Sequence, residues 1–176
     1  LNRRQLLVGV AGVLLTSLPR SANAAEDLLK PYLGPFRHSG GDKDLKARDR
    51  AIEGVVSEMS FLVRKMARDR LTAANAIAQA IIFSRTATSL TIAMDARVFT
   101  GPLDGSKTKV TSSGDTEIDM SYVLSKDSLT QNFERDGRGR INTFTLDGDK
   151  SLRLDVRVFA DELPKDLVYK LSYVRK

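Results

Sequence analysis

His38 is the only histidine among 176 residues, and the chain has no cysteine. Composition alone therefore excludes disulfides, thiolate nucleophiles and the usual zinc ligand sets. His38 lies in a Gly- and Pro-rich stretch, and no Gly-x-Ser-x-Gly elbow exists to present a serine to it, so a hydrogen-bonding or surface histidine is expected rather than a catalytic one. Glu117 and Asp119 have the spacing of a paired-carboxylate acid/base site, but they alternate with Ile118 and Met120. That alternation places them on the solvated side of a strand. Asp147-Gly148-Asp149 offers two carboxylates without the further spaced oxygens and terminal Glu of a calcium loop, and reads as a hairpin turn. Arg135-Asp136-Gly137-Arg138-Gly139-Arg140 could form a basic patch for phosphates or lipid headgroups. Its Asp-Gly centre between two strand patterns favours a turn with charged shoulders, and no helix follows to cradle a phosphate. No acid, base and nucleophile converge, so the expectation is a non-enzyme with no metal and no cofactor.

The last strand pattern offers one other kind of chemistry. Leu167, Tyr169, Leu171, Tyr173 and Arg175 share one face. A guanidinium ending an apolar, aromatic face needs a partner, and a ligand carboxylate or phosphate would serve. The alternative is that Arg175 frays outward into solvent near the end of the strand.

The elements that would position these residues follow from periodicity. From about residue 80 to 174, apolar and polar residues alternate, with Ile118, Met120, Tyr122 and Leu124 against Glu117, Asp119 and Ser121, and Leu152, Leu154, Val156 and Val158 against Arg153, Asp155 and Arg157. Turns at Asp104-Gly105, Gly114-Asp115, Asp136-Gly137 and Asp147-Gly148 are too short for crossovers, so the strands pair antiparallel in sequence order. The fold class predicted is α+β: a long N-terminal amphipathic helix packed on an up-and-down β-meander of about eight strands, as a barrel or partial barrel. The helix spans residues 42–70, capped by Asp42 or Asp44, with a stripe of Leu45, Ile52, Val55, Val56, Met59, Leu62, Val63 and Met66. Thr72 is a cap for a further short helix. Phe61 lies opposite the stripe, where the aromatic residues of the preceding segment, or a partner protein, could meet it. That segment, residues 25–41, reads as an irregular arm lying across the domain, since it carries Pro31, Pro35 and Gly40-Gly41 among its apolar residues.

Residues 1–24 read as a cleavable export signal. Arg3 and Arg4 precede an apolar stretch over residues 6–15, and Ala22-Asn23-Ala24 closes the segment with small residues where a signal peptidase cuts. The apolar stretch is shorter than the roughly 20 residues that span a bilayer. Both the general and the twin-arginine routes fit it. Arg3, Arg4 and Arg20 leave with the signal, which takes the formal charge from +6 to +3. This predicts a periplasmic or secreted domain over residues 42–176 behind the arm, monomeric or homodimeric, with no nucleic-acid partner and weak contact with an anionic membrane surface.

The stretch Gln131-Asn132-Phe133-Glu134-Arg135-Asp136-Gly137-Arg138, followed by Asn142-Thr143-Phe144-Thr145-Leu146-Asp147-Gly148-Asp149, is similar to the late hairpins of the calycin group, the lipocalins and fatty-acid-binding proteins. Tyr173 and Arg175 resemble, in reverse order, the Arg and Tyr two residues apart that hold the fatty-acid head group in that family. The likeness covers about the last third of the chain. The lipocalin Gly-x-Trp signature is missing, since there is no Trp at all. The resemblance implies an exported meander with the helix across its mouth, and a fatty-acid-like ligand with an acidic head. Tyr122, Phe133, Phe144, Tyr169 and Tyr173 would line its site and Arg175 would meet the head. Two functions follow: a carrier of such a ligand, or an envelope scaffold in which the meander is packed and empty. They differ in whether a ligand-sized apolar cavity exists.

Overall fold

The alternating pattern becomes a single sheet of ten antiparallel strands. In a computed structural model that describes residues 28–112 and 116–176, they are β1 Gly34–His38, β2 Ala80–Arg85, β3 Ser89–Met94, β4 Arg97–Pro102, β5 Thr108–Thr111, β6 Glu117–Leu124, β7 Leu129–Arg135, β8 Arg138–Asp147, β9 Ser151–Phe159 and β10 Leu167–Arg175. The export signal of residues 1–24, the first residues of the arm and the Gly114-Asp115 turn lie outside the described residues. The strand order is β4-β3-β2-β1-β10-β9-β8-β7-β6-β5. Each hairpin joins neighbours, and β1 pairs on both sides, with Phe36 opposite Ile81 of β2 and Arg175 of β10. The Asp136-Gly137 turn has positive φ at both residues, 49° and 73°, which matches the twist of the strands it joins.

The barrel is nearly closed. β4 and β5 end the sheet, and the seam between them is spanned by Tyr122 of β6, whose hydroxyl donates to the Phe99 carbonyl at 2.9 Å. Gly101 permits this approach, because a Cβ there would stand 2.7 Å from Met120 Cε.

Several expectations are corrected. The arm is not irregular throughout: Lys30–Tyr32 forms a 3-10 turn and Gly34–His38 is a strand of the barrel. The sheet has ten strands rather than about eight. The single N-terminal helix is two helices, α1 Gly41–Val56 and α2 Phe61–Ala74, inserted between β1 and β2. The last turn of α1 tightens to three-residue bonds, Glu58 N–H to the Val55 carbonyl at 3.3 Å and Met59 N–H to Val56 at 3.0 Å, and Ser60 is then extended. Arg64 of α2 holds the linker by donating to the Ser57 and Met59 carbonyls at 2.8 and 2.9 Å. Thr72 lies within α2 and caps nothing.

α1 buries Ile52, Val55 and Val56 against the barrel, while Leu45 and Leu62 of the expected stripe are exposed. Asp44 does not cap α1, whose N-cap is Gly40. Its buried carboxylate instead accepts the Ser172 N–H at 2.6 Å and meets His38 Nε2 at 3.1 Å, fastening α1 to β10 and the end of β1.

Strand alternation sends Phe36, Phe83, Phe144, Leu152, Leu154 and Leu171 inward, all buried. Leu29 and Tyr32 cover the end of the barrel opposite the helices, and the Tyr32 hydroxyl donates to the Phe144 carbonyl at 3.3 Å. Arg175 belongs to this closed end. It donates to the carbonyls of Pro31, Leu33 and Asp149, and its guanidinium lies 4.5 Å from the centre of the Phe36 ring. Arg175→Ala should therefore lower stability by about 1–3 kcal/mol through lost charge-assisted hydrogen bonds to the covering segment. Urea denaturation measures this, and an unchanged midpoint would show that the covering segment is held by other contacts.

Candidate functional site

A cavity of about 1260 Å³ opens at the helical end, between α2 and the mouth of the barrel. Val63, Met66 and Leu71 of α2 face Phe99, Ile118 and Phe133 from β4, β6 and β7 across it. Phe99 and Phe133 meet edge to face with centroids 4.9 Å apart, giving the wall a rigid apolar surface. α2 has no buried residue, so it roofs this space without being part of the core. It is tied to α1 by Arg68, which pairs with Glu53.

Arg140 of β8 reaches the cavity from below. Its Nε donates to Asn142 Oδ1 at 2.8 Å, its Nη1 to Asn75 Oδ1 at 3.1 Å, and its Nη2 lies 3.5 Å from the Tyr169 hydroxyl. The network continues inward. Tyr169 donates to Asn75 Oδ1 at 3.1 Å, Asn142 Nδ2 to Gln131 Oε1 at 3.0 Å, and Gln131 Nε2 to the Tyr122 hydroxyl at 3.4 Å. No described buried side-chain polar atom lacks a partner, so this layer is a satisfied polar floor. Arg140 differs from the rest: each of these partners is neutral, and three of the five guanidinium N–H groups are engaged. It is a partly buried cation with two donors to spare, facing a chamber whose inner wall is apolar and whose exposed rim carries charges of both signs, Arg70, Arg97, Arg135 and Arg138 with Glu134, Asp136 and Glu162.

Below the floor the barrel is filled. Phe83 stacks edge-on to Phe144 and Phe36 with centroids 5.1 and 5.8 Å apart, and Leu129, Leu152 and Leu154 close the remaining space. A packed interior and an open cavity thus occupy different ends of one barrel.

Of the residues expected at the site, Phe133 lines the cavity and Tyr169 lies directly beneath it, holding Asn75 and Arg140. Tyr122 stands at the far end of the polar floor. Phe144 lies in the packed half. Tyr173 donates to the Ala78 carbonyl at 3.0 Å with its ring 5.4 Å from that of His38, and Arg175 is at the closed end. Sequence reasoning missed Arg140 and Asn75. The signal for Arg140 was its parity with Asn142 and Phe144 on the inner face of β8, overshadowed by the turn in which it was grouped. Phe61 does not meet the aromatic residues of the arm: it is 84% exposed at the start of α2, beside Leu62 at 90%. Among the described residues no cluster of acids or histidine could hold a metal, and no helix is long and apolar enough to cross a membrane.

This is the calycin fold, in the form that the fatty-acid-binding proteins take. The structure is similar to fatty-acid-binding protein 1 of Echinococcus granulosus, with a TM-score of 0.50 and 16% identity over 83% of this chain and 98% of that one. It is also similar to lipid binding protein 8 of Caenorhabditis elegans, at 0.52 and 9% over 84% and 97%. A secretory abundant heat soluble protein of Ramazzottius varieornatus gives 0.53 and 11% over 83% and 96%. At these identities the likeness is one of fold. No protein-family model matches the chain, and no curated protein matches it in sequence.

Burial pushes the phenols of Tyr122 and Tyr173 far above their ordinary range; it also raises that of Tyr32, where the charge of Asp127 adds to it. The fold thus favours the neutral phenols, while unfolded phenols ionise near pH 10. The stability they contribute is complete below that pH and is lost as pH rises through it toward the folded values. Tyrosinate absorbance at 295 nm should stay well below that of four free phenols until alkaline unfolding. Ionisation of Tyr32, Tyr122 and Tyr173 near pH 10 with the β-sheet spectrum intact would contradict their buried positions.

Proposed function

We propose that this protein is a non-enzymatic carrier that binds an apolar small molecule with an acidic head group, and that it works in the periplasm after removal of residues 1–24. The observation that carries the reading is Arg140, a cation with neutral partners at the base of a cavity whose inner wall is apolar and whose charges otherwise lie on its exposed rim. A carboxylate arriving there meets the two unused N–H groups and gains charge-assisted hydrogen bonds in a partly desolvated site. The apolar body then lies between the Phe99-Phe133 wall and the inner side of α2, where each Å² removed from water contributes about 25 cal/mol. The packed aromatic half below the floor keeps the ligand high in the barrel, under the roof helix. The two neighbours named as fatty-acid-binding and lipid binding proteins support the ligand class. The export pattern of Arg3-Arg4, the apolar stretch and Ala22-Asn23-Ala24 supports the compartment.

Calorimetric titration with dodecanoate and dodecanol tests the head-group assignment. The wild type should prefer the acid, and Arg140→Met, which keeps the apolar stem, should weaken dodecanoate by about 10- to 100-fold, or about 1–3 kcal/mol, with little change for the alcohol. Equal wild-type affinities for acid and alcohol would overturn the acidic head. N-terminal sequencing of the protein from a periplasmic extract should begin at Ala25, and an uncut chain confined to the cytoplasm would overturn the export.

A further inference from the structure

The neutrality of the acceptors around Arg140 calls for a physical reason, because a guanidinium drawn even partly out of water is ordinarily met by a carboxylate. Here two amides hold it. Both Asn75 and Asn142 are no more than 1% exposed, and the orientation of each amide is fixed by its other bonds. Asn75 Oδ1 takes donors from Arg140 and Tyr169, while its Nδ2 donates to the Leu71 carbonyl at 2.8 Å, in the last turn of α2. Asn142 Oδ1 accepts from Arg140 and its Nδ2 donates to Gln131. Reversing either amide would turn an NH₂ group against the guanidinium. Each asparagine therefore gives Arg140 the oxygen that a carboxylate would give, without its charge.

We propose that Asn75 and Asn142 are positioning residues that set charge selectivity: they fix the direction of Arg140 and leave it with no carboxylate in contact, the acids of the cavity lying on its exposed rim, so that the site selects an anionic head group over a neutral one. This rests on the reading of Arg140 as the ligand's seat. A carboxylate at either position would become an internal competitor for the ligand's acid, held permanently in place.

The test is the ratio of dodecanoate to dodecanol affinity in the full mature chain. Asn75→Asp and Asn142→Asp, made separately so that one can serve if the other does not fold, should each lower dodecanoate affinity about tenfold or more and leave dodecanol within about threefold. Asn75→Ala removes one of the two amide oxygens that hold Arg140, together with the bond to α2, without adding charge; the hold through Asn142 remains, so most of the preference for the acid should be kept. Wild-type protein that does not discriminate between the two ligands would overturn the seat itself. A preference that survives both Asp variants, an equal loss of both ligands, or a loss in Asn75→Ala as complete as in Asn75→Asp would overturn the role of the asparagines while leaving Arg140 in place.

Discussion

The structure depends on the double pairing of β1. Because β4 and β5 do not pair, this five-residue strand is the hydrogen-bonded join between the β2–β4 meander and the β5–β10 meander. Its inner residue Phe36 lies in the aromatic core, its last residue His38 reaches Asp44 of α1, and the segment before it is held by Arg175. Removing this strand would separate one barrel into two open sheets, each with a bare edge. The placement of α1 follows from it too, since the buried Asp44 carboxylate bonds to β10 just where β1 gives way to the helix.

A second constraint divides the interior across its axis. A barrel of this kind can be filled by its own side chains or left hollow, and here a layer of hydrogen-bonded polar groups separates a filled half from a hollow one. The aromatic residues below fix the shape of the vessel, and the amides and guanidinium above determine what can enter. Stability and recognition are thereby assigned to different residues on the same strands: on β8, Phe144 belongs to the first, Arg140 to the second, and Asn142 lies between them. Substitutions in either half should be nearly independent of each other, since additivity holds for residues without shared partners.

Much of this was legible in the chain. Alternation marked residues 80 to 174 as strand after strand, and the Asp-Gly pairs marked turns between them, because period 2 and positive φ are local properties. β1 was not legible, because Gly34, Pro35 and the flanking Pro31 and Gly40-Gly41 outweigh five residues of weak alternation. A proline in the body of a sheet removes a ladder bond and argues against a strand, and only the flanking strands β2 and β10 override that signal. The helix was read as continuous because the apolar spacing runs through the break. What separates the helices is the extended backbone at Ser60 and a linker held by Arg64, which composition does not distinguish from any other surface arginine. At the site, the sequence indicated that a guanidinium on an inner face would matter but pointed to Arg175. The two arginines have the same parity relative to their strands, and they differ only in which end of the barrel they reach. Strand order, unlike strand parity, is not written locally.

The same short strand governs the time order of assembly. Every other hairpin joins segments adjacent in sequence and can form as soon as both are made, whereas Phe36 must find Arg175, with nearly the whole sheet between them in sequence. Closing so long a loop is entropically late and slow. Until it happens, β1 and β10 each present an unpaired edge, the kind of surface on which growing chains pair with one another. The chain is thus most prone to aggregation just before closure, and it is in that interval that a chaperone's protection would count most.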